Sequence, residues 1–119
     1  MSHILVVDDD PSIRAVIADA LADEGYAVRT ASNGVEGLLA LADALPALVL
    51  LDLRMPVMDG WTFARTLHQR GIQLPIVVMT AAQDARQWAQ EVGARAYVAK
   101  PFDLGELLDV VARVLRERG

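Results

Sequence analysis

Three consecutive aspartates, Asp8, Asp9 and Asp10, follow the apolar run Ile4 to Val7, and Asp52 closes the run Leu48 to Leu51. Thr80 follows the run Ile76 to Met79, and Lys100, just before Pro101, follows Ala96 to Ala99. If these residues meet, the aspartates need a cation. Like charges at roughly 4 Å repel by about 1 kcal/mol in water and several-fold more near a protein surface. Mg²⁺ suits such a cluster, because it takes oxygen ligands and is commonly held by one or two carboxylates plus a phosphate oxygen, and Mn²⁺ shares the preference. The chain has no cysteine, and no histidine follows these runs, which argues against zinc. The hydroxyl of Thr80 and the ammonium of Lys100 would complete such a cluster. Taken singly, each residue is ordinary: an Asp or Thr closing a strand is usually a cap or turn residue. A fold that gathers them is what makes a site.

The intervening stretches have the helical period. Ile13, Val16, Ile17 and Leu21 share one face, as do Val35, Leu38, Leu39 and Ala42, then Ala85, Trp88, Ala89 and Val92, then Leu104, Leu107, Leu108, Val111 and Leu115. A further helix is predicted from about Trp61 to Arg70, with a less regular set of Trp61, Phe63, Ala64 and Leu67. The apolar runs, with Tyr26 to Thr30 as the second, read as five strands, and the continuously apolar ones suit a parallel sheet covered on both faces. Asp10-Pro11 reads as an N-cap followed by proline at the first helical position, and Asp103 to Glu106 as a capping box. Gly25 and Gly93 stand where helices should end. Five strand-helix repeats without a linker predict one doubly wound α/β domain over residues 1–119. Ligands of such sheets bind beyond the carboxyl ends of the strands, the edge that holds the acids, Thr80 and Lys100.

Composition narrows the function. At 119 residues and 54% hydrophobic, the chain is long and apolar enough for one buried core. A net charge of −5 argues against direct nucleic-acid contact, which depends on Lys and Arg neutralising phosphates. The first apolar run is too short for a signal-peptide core, and no apolar stretch approaches the ~18 residues of a spanning helix. The expectation is a cytoplasmic protein without membrane contact.

The same residues carry a resemblance along the whole chain. Ile4-Leu5-Val6-Val7-Asp8-Asp9, Leu51-Asp52-Leu53-Arg54-Met55-Pro56-Val57-Met58-Asp59-Gly60, Thr80-Ala81 and Lys100-Pro101-Phe102 resemble the conserved segments of response-regulator receiver domains from two-component signalling. The resemblance implies a flavodoxin-like fold with strand order 2-1-3-4-5. It implies that Asp52 accepts a phosphoryl group from a histidine kinase or histidine phosphotransfer protein. Asp8, Asp9, Asp52 and the backbone carbonyl of Arg54 would hold Mg²⁺; Thr80, Ala81 and Lys100 would bind the phosphoryl oxygens. Thr80 and Tyr97 would form the switch, the Lys100-Pro101 bond would be cis, and the face of the fourth helix, fifth strand and last helix would signal to a downstream protein or fused output domain. Such a protein is a phosphoacceptor that assists its own phosphorylation and dephosphorylation, not a turnover enzyme. The resemblance also gives Arg54 and Ala82 a part in setting the lifetime of the phosphorylated form, Arg54 by lying over the phosphoryl group.

Other residues read as structural. Asp10 is a cap, Met55, Pro56, Asp59 and Gly60 shape a loop, Trp88 packs on the fourth helix, and His3 and His68 are solvated. Val110 and Val114 lie off the core stripe of the last helix and suggest a partner face or a phosphorylation-dependent homodimer. Two other readings compete. A small Mg²⁺-dependent phosphohydrolase with an aspartate nucleophile would want a second carboxylate where Arg54 stands. A docking module that has lost phosphorylation would lack one of the acids or the lysine, and none is missing.

Overall fold

A strand whose residues are all apolar must be covered on both faces, and that requirement shapes this chain. The computed structural model describes residues 2–118, apart from the side chains at 82 and 118. Its strands are β1 (Ile4–Val7), β2 (Val28–Ala31), β3 (Leu48–Asp52), β4 (Ile76–Ala81) and β5 (Ala96–Lys100). All pair in parallel, in the order β2-β1-β3-β4-β5. The helices are α1 (Pro11–Asp23), α2 (Gly34–Asp43), α3 (Gly60–Gln69), α4 (Ala85–Val92) and α5 (Leu104–Arg118), and a 3-10 turn over Ala82–Asp84 precedes α4. This is the flavodoxin-like doubly wound fold anticipated above.

Successive side chains along a strand point to opposite faces. Leu5, Val7, Val49, Leu51 and Val78 therefore pack with Leu41, Phe63, Leu67 and Ala89 of α2, α3 and α4. Ile4, Val6, Leu48, Leu50, Val77 and Met79 pack on the other face with Ile17 and Leu21 of α1 and Leu107, Val111 and Val114 of α5.

Several helix faces differ from the periodic reading. On α2 the buried set is Gly34, Gly37, Ala40 and Leu41, while Val35 and Leu39 point outward. Glycine decides the rotation: a Cβ at Gly37 would lie 2.8 Å from the Phe63 ring, so its bare backbone lets the helix settle there. Val16 of α1 is also exposed. Val114 is fully buried and Val110 partly so, both against the α1–α5 side of the core, which removes Val114 from any partner face. The second strand starts at Val28, because the Tyr26 N–H donates to the Leu21 carbonyl and is spent on ending α1. Three strands run further than their apolar stretches, so Asp52, Thr80, Ala81 and Lys100 join the sheet. His68 is exposed, but His3 is half-buried with Nε2 lacking a hydrogen-bond partner; burial and then Arg29 lower its pKa.

The caps hold. Asp10 accepts the N–H groups of Ser12 and Ile13, Asp103 that of Glu106, and Asp59 that of Thr62 at 2.8 Å. Asp59→Ala is expected to cost about 1 kcal/mol, the usual value of such a cap, and to lower the melting temperature by a few degrees. An unchanged melting temperature would show the cap bond to be idle.

Candidate functional site

Strand register assembles the site. Val7 pairs with Leu51 and Asp52 with Met79, so Asp8, Asp52 and Thr80 leave adjacent strands within one residue of the same level. Ala81 pairs with Lys100, which brings the lysine to that edge. Asp8 and Thr80 are buried and Asp52 is only 5% exposed, whereas Asp9 is exposed. Carboxylate oxygens of Asp8, Asp9 and Asp52 all lie within 4.8 Å of one another. Lys100 Nζ stands 3.5 Å from Asp8 Oδ2 and 3.6 Å from Asp52 Oδ1.

Backbone donors fix the acids from behind. The Asp10 N–H donates to Asp8 Oδ1 at 2.9 Å, and the Arg54 N–H to Asp52 Oδ1 at 3.3 Å. The Asp8 carbonyl accepts from Arg14 Nη1 at 2.8 Å, which ties α1 to the acidic loop. Sequence reasoning passed over Arg14; nothing in its spacing distinguishes it from a surface arginine. Gly60 sets the other wall. A Cβ there would lie 2.7 Å from the Leu53 Cα and 2.8 Å from the Asp52 carbonyl oxygen, so any side chain would displace the backbone that carries Asp52.

The electrostatics are those of a cation site. Burial pushes the Asp52 pKa from 3.8 up to about 6, with Lys100 opposing the rise and the Asp8 charge adding to it. Asp8 Oδ2 is buried and lacks a hydrogen-bond partner; the Lys100 ammonium at 3.5 Å is its charge partner. An acceptor-only oxygen left so, beside two other carboxylates, fits a hard divalent cation. The residues present therefore fit Mg²⁺ or Mn²⁺, with Asp8, Asp9 and Asp52 as the oxygen set. Arg54, whose carbonyl the resemblance adds as a ligand, sits two residues after Asp52, just beyond the end of β3.

The remaining sequence-predicted residues fall around this centre. Ala81 is exposed at the end of β4, and the Lys100-Pro101 bond is cis. Tyr97 on β5 is 38% exposed, opposite Val78 and two residues short of the level of Thr80. The Arg54 guanidinium sits over the Trp88 ring, 4.9 Å from the centroid, so Trp88 also offers a cation–π face. The Ala82 side chain lies outside the described residues. Asp52, Thr80 and Lys100 open into a cavity of about 720 Å³ whose other walls include Ile13, Val16, Phe102 and Leu104. That apolar wall explains the outward Val16, which the helical period had assigned to the core.

Comparison with known proteins agrees with this geometry. The response regulator receiver domain family matches residues 4–112. The DNA-binding transcriptional regulator NtrC of Escherichia coli (strain K12) is 44% identical over 114 residues, 94% of this chain and 24% of NtrC. Response regulator MprA of Mycobacterium sp. (strain KMS) is 42% identical over 116 residues, 96% of this chain and 50% of MprA. The chain thus spans half or less of these curated relatives' length. Among solved structures, the receiver domain of NtrX from Brucella abortus matches with a TM-score of 0.87 at 34% identity, covering 95% of this chain and 98% of that one. Vibrio cholerae chemotaxis protein CheY4 matches with a TM-score of 0.85 at 34% identity, covering 96% and 98%. Among the described residues no helix is long and apolar enough to cross a membrane. Sequence likeness over nearly the whole chain and an acidic pocket built at the predicted sheet edge lead to one conclusion: the chain belongs to the response regulator receiver domain family.

Proposed function

We propose that this chain is a phosphorylation-operated switch in which Asp52 takes a phosphoryl group from a phosphohistidine of a partner kinase or phosphotransfer protein, in a Mg²⁺-dependent reaction. The observation that carries the reading is the meeting of Lys100 with Asp8 and Asp52 at 3.5 and 3.6 Å. One ammonium there faces three carboxylates, an arrangement that favours an added cation and then an anionic guest.

Asp52 Oδ1 is engaged by the Arg54 N–H and by Lys100, which leaves Oδ2 to attack phosphorus. The P–N bond to the donor imidazole breaks, its electron pair returns to the ring nitrogen, and Asp52 becomes an acyl phosphate. A divalent ion held by Asp8, Asp9 and Asp52 would supply charge neutralisation for the phosphoryl oxygens. Lys100 offsets further negative charge, and the Thr80 hydroxyl and Ala81 N–H donate to the remaining oxygens. Hydrolysis reverses the state: water attacks phosphorus, the P–O bond to Asp52 breaks, and the carboxylate is restored. The chain thus assists its own phosphorylation and dephosphorylation without turning over a separate substrate.

Thr80 and Tyr97 give the switch its moving parts. The Thr80 hydroxyl is drawn to the phosphoryl group, and Tyr97, now outward, moves into the space it leaves. The α4–β5–α5 face then engages a downstream protein, an output domain on the same polypeptide or a second copy.

Incubation with Mg²⁺ and acetyl phosphate tests the reading by intact mass. The expected result is a gain of one phosphoryl group that is absent in Asp52→Ala and when Mg²⁺ is chelated. No gain would overturn it, and sustained release of phosphate from esters would favour a hydrolase.

A further inference from the structure

Arg54 lies in the loop that follows Asp52, and its side chain is exposed. Its guanidinium stacks on Trp88 of α4, and Trp88 in turn meets Trp61 of α3 edge-on, with ring centroids 5.1 Å apart and planes at 77°. Trp61 Nε1 donates to Glu91 Oε1 at 3.2 Å, and Gln87 Nε2 donates to Glu91 Oε2 at 3.2 Å, both on the helix that carries Trp88. The Trp88 ring is therefore a platform braced by two helices, while Arg54 reaches it on a long, exposed side chain. Arg54 also lines the same cavity as Asp52 and Thr80.

We propose that Trp88 is a positioning residue for Arg54: its ring holds the guanidinium aside until a phosphoryl group on Asp52 draws it off. The proposal rests on the phosphoacceptor reading above. Two physical facts set its direction. A cation–π contact at an exposed site is weak, whereas guanidinium and phosphate form a two-pronged, charge-assisted pair. The anion therefore outcompetes the ring, and Trp88 loses its cation when the site fills. Occupancy of Asp52 then reaches α4 through the freed ring as well as through Thr80.

Beryllofluoride with Mg²⁺, a stable phosphoryl mimic, is the probe. Removing the ring removes the competitor, so Trp88→Leu should tighten mimic binding about threefold by calorimetry, in line with the strength of an exposed cation–π contact. Arg54→Met should weaken binding, and Trp88→Leu added to Arg54→Met should change nothing further, because the ring then holds nothing. A shift of equal size in both backgrounds means that Trp88 acts as packing and overturns the proposal, as does weaker or unchanged binding in Trp88→Leu.

A second measurement leaves Trp88 in place. The chain has two tryptophans, so Trp61→Phe leaves Trp88 as the sole tryptophan, excited selectively over the tyrosines. Saturating mimic should change its emission, and the same change should be absent in Trp61→Phe/Arg54→Met; an identical change in both overturns the latch. A wild-type chain that binds no mimic would overturn the phosphoacceptor reading and the latch together, whereas binding without coupling overturns the latch alone.

Discussion

Asp52→Asn is expected to abolish phosphoryl uptake from acetyl phosphate and, at the same time, to make the metal-free protein more stable at neutral pH. The first effect follows from removing the attacking oxygen. The second follows from burial. Desolvation lifts the Asp52 pKa from 3.8 to about 6 against the pull of Lys100, so ionising this carboxyl costs the folded state something the unfolded chain does not suffer. Below pH 3.8 the group is protonated in both states, and its favourable contribution is complete. Between 3.8 and 6 the folded chain keeps a proton that the unfolded chain has lost, and stability falls as pH rises. Above pH 6 the penalty is complete, on the order of 3 kcal/mol at 1.36 kcal/mol per pKa unit. An asparagine amide carries no such penalty.

Thermal unfolding with a chelator present reads this directly. Above pH 6 the variant should melt higher than wild type, and the two curves should converge as pH is lowered toward 3.8. Saturating Mg²⁺ should shrink the gap, since the cation offsets the same charge. Equal melting temperatures above pH 6 would mean that Asp52 is ionised without strain, and would remove the electrostatic reason for a cation there.

Lys100→Met is expected to move two measurements in opposite directions. Its ammonium is a fixed cation 3.5 Å from Asp8 and 3.6 Å from Asp52, in the space where a divalent ion must settle among the same oxygens. Unit charges at about 4 Å interact by roughly 4 kcal/mol at an effective dielectric of 20. The net effect on a second cation is smaller, because Lys100 is partly exposed and can swing away. An increase of about tenfold in Mg²⁺ affinity is the expected result, equivalent to about 1.4 kcal/mol. Phosphoryl uptake should nonetheless slow by about 100-fold, the usual loss when one preorganised donor to a transferring group is removed. Methionine keeps the volume, so packing around Phe102 is little disturbed. Calorimetric Mg²⁺ titration and timed intact mass separate the two effects. Weaker Mg²⁺ binding together with slower uptake would mean that Lys100 merely props the pocket open.

The apolar runs were legible as strands because a doubly covered sheet demands unbroken hydrophobic stretches, and few other structures do. Their ends were legible too, since Asp8, Asp52, Thr80 and Lys100 each break such a run. A parallel sheet puts all those breaks on one edge, while the strand order that sets β1 beside β3, and their register, bring Asp8 and Asp52 together. Asp10-Pro11 and Asp103 carried their caps in local chemistry, and both caps are present.

What the sequence could not determine lies in how the helices dock. A 3.6-residue period marks a broad apolar stripe, and which part of it meets the sheet depends on the neighbour's shape. Gly37 turns α2 toward Phe63 and leaves Leu39 outside, and Val114 turns inward against the α1–α5 side of the core. Asp8 and Asp9 are adjacent and chemically alike, yet only the fold buries one and exposes the other, leaving Asp8 Oδ2 without a hydrogen-bond partner. Arg54 and Trp88 are far apart in sequence and share no motif. Their contact exists because α3 and α4 stand side by side, a matter of three-dimensional packing that no local pattern encodes.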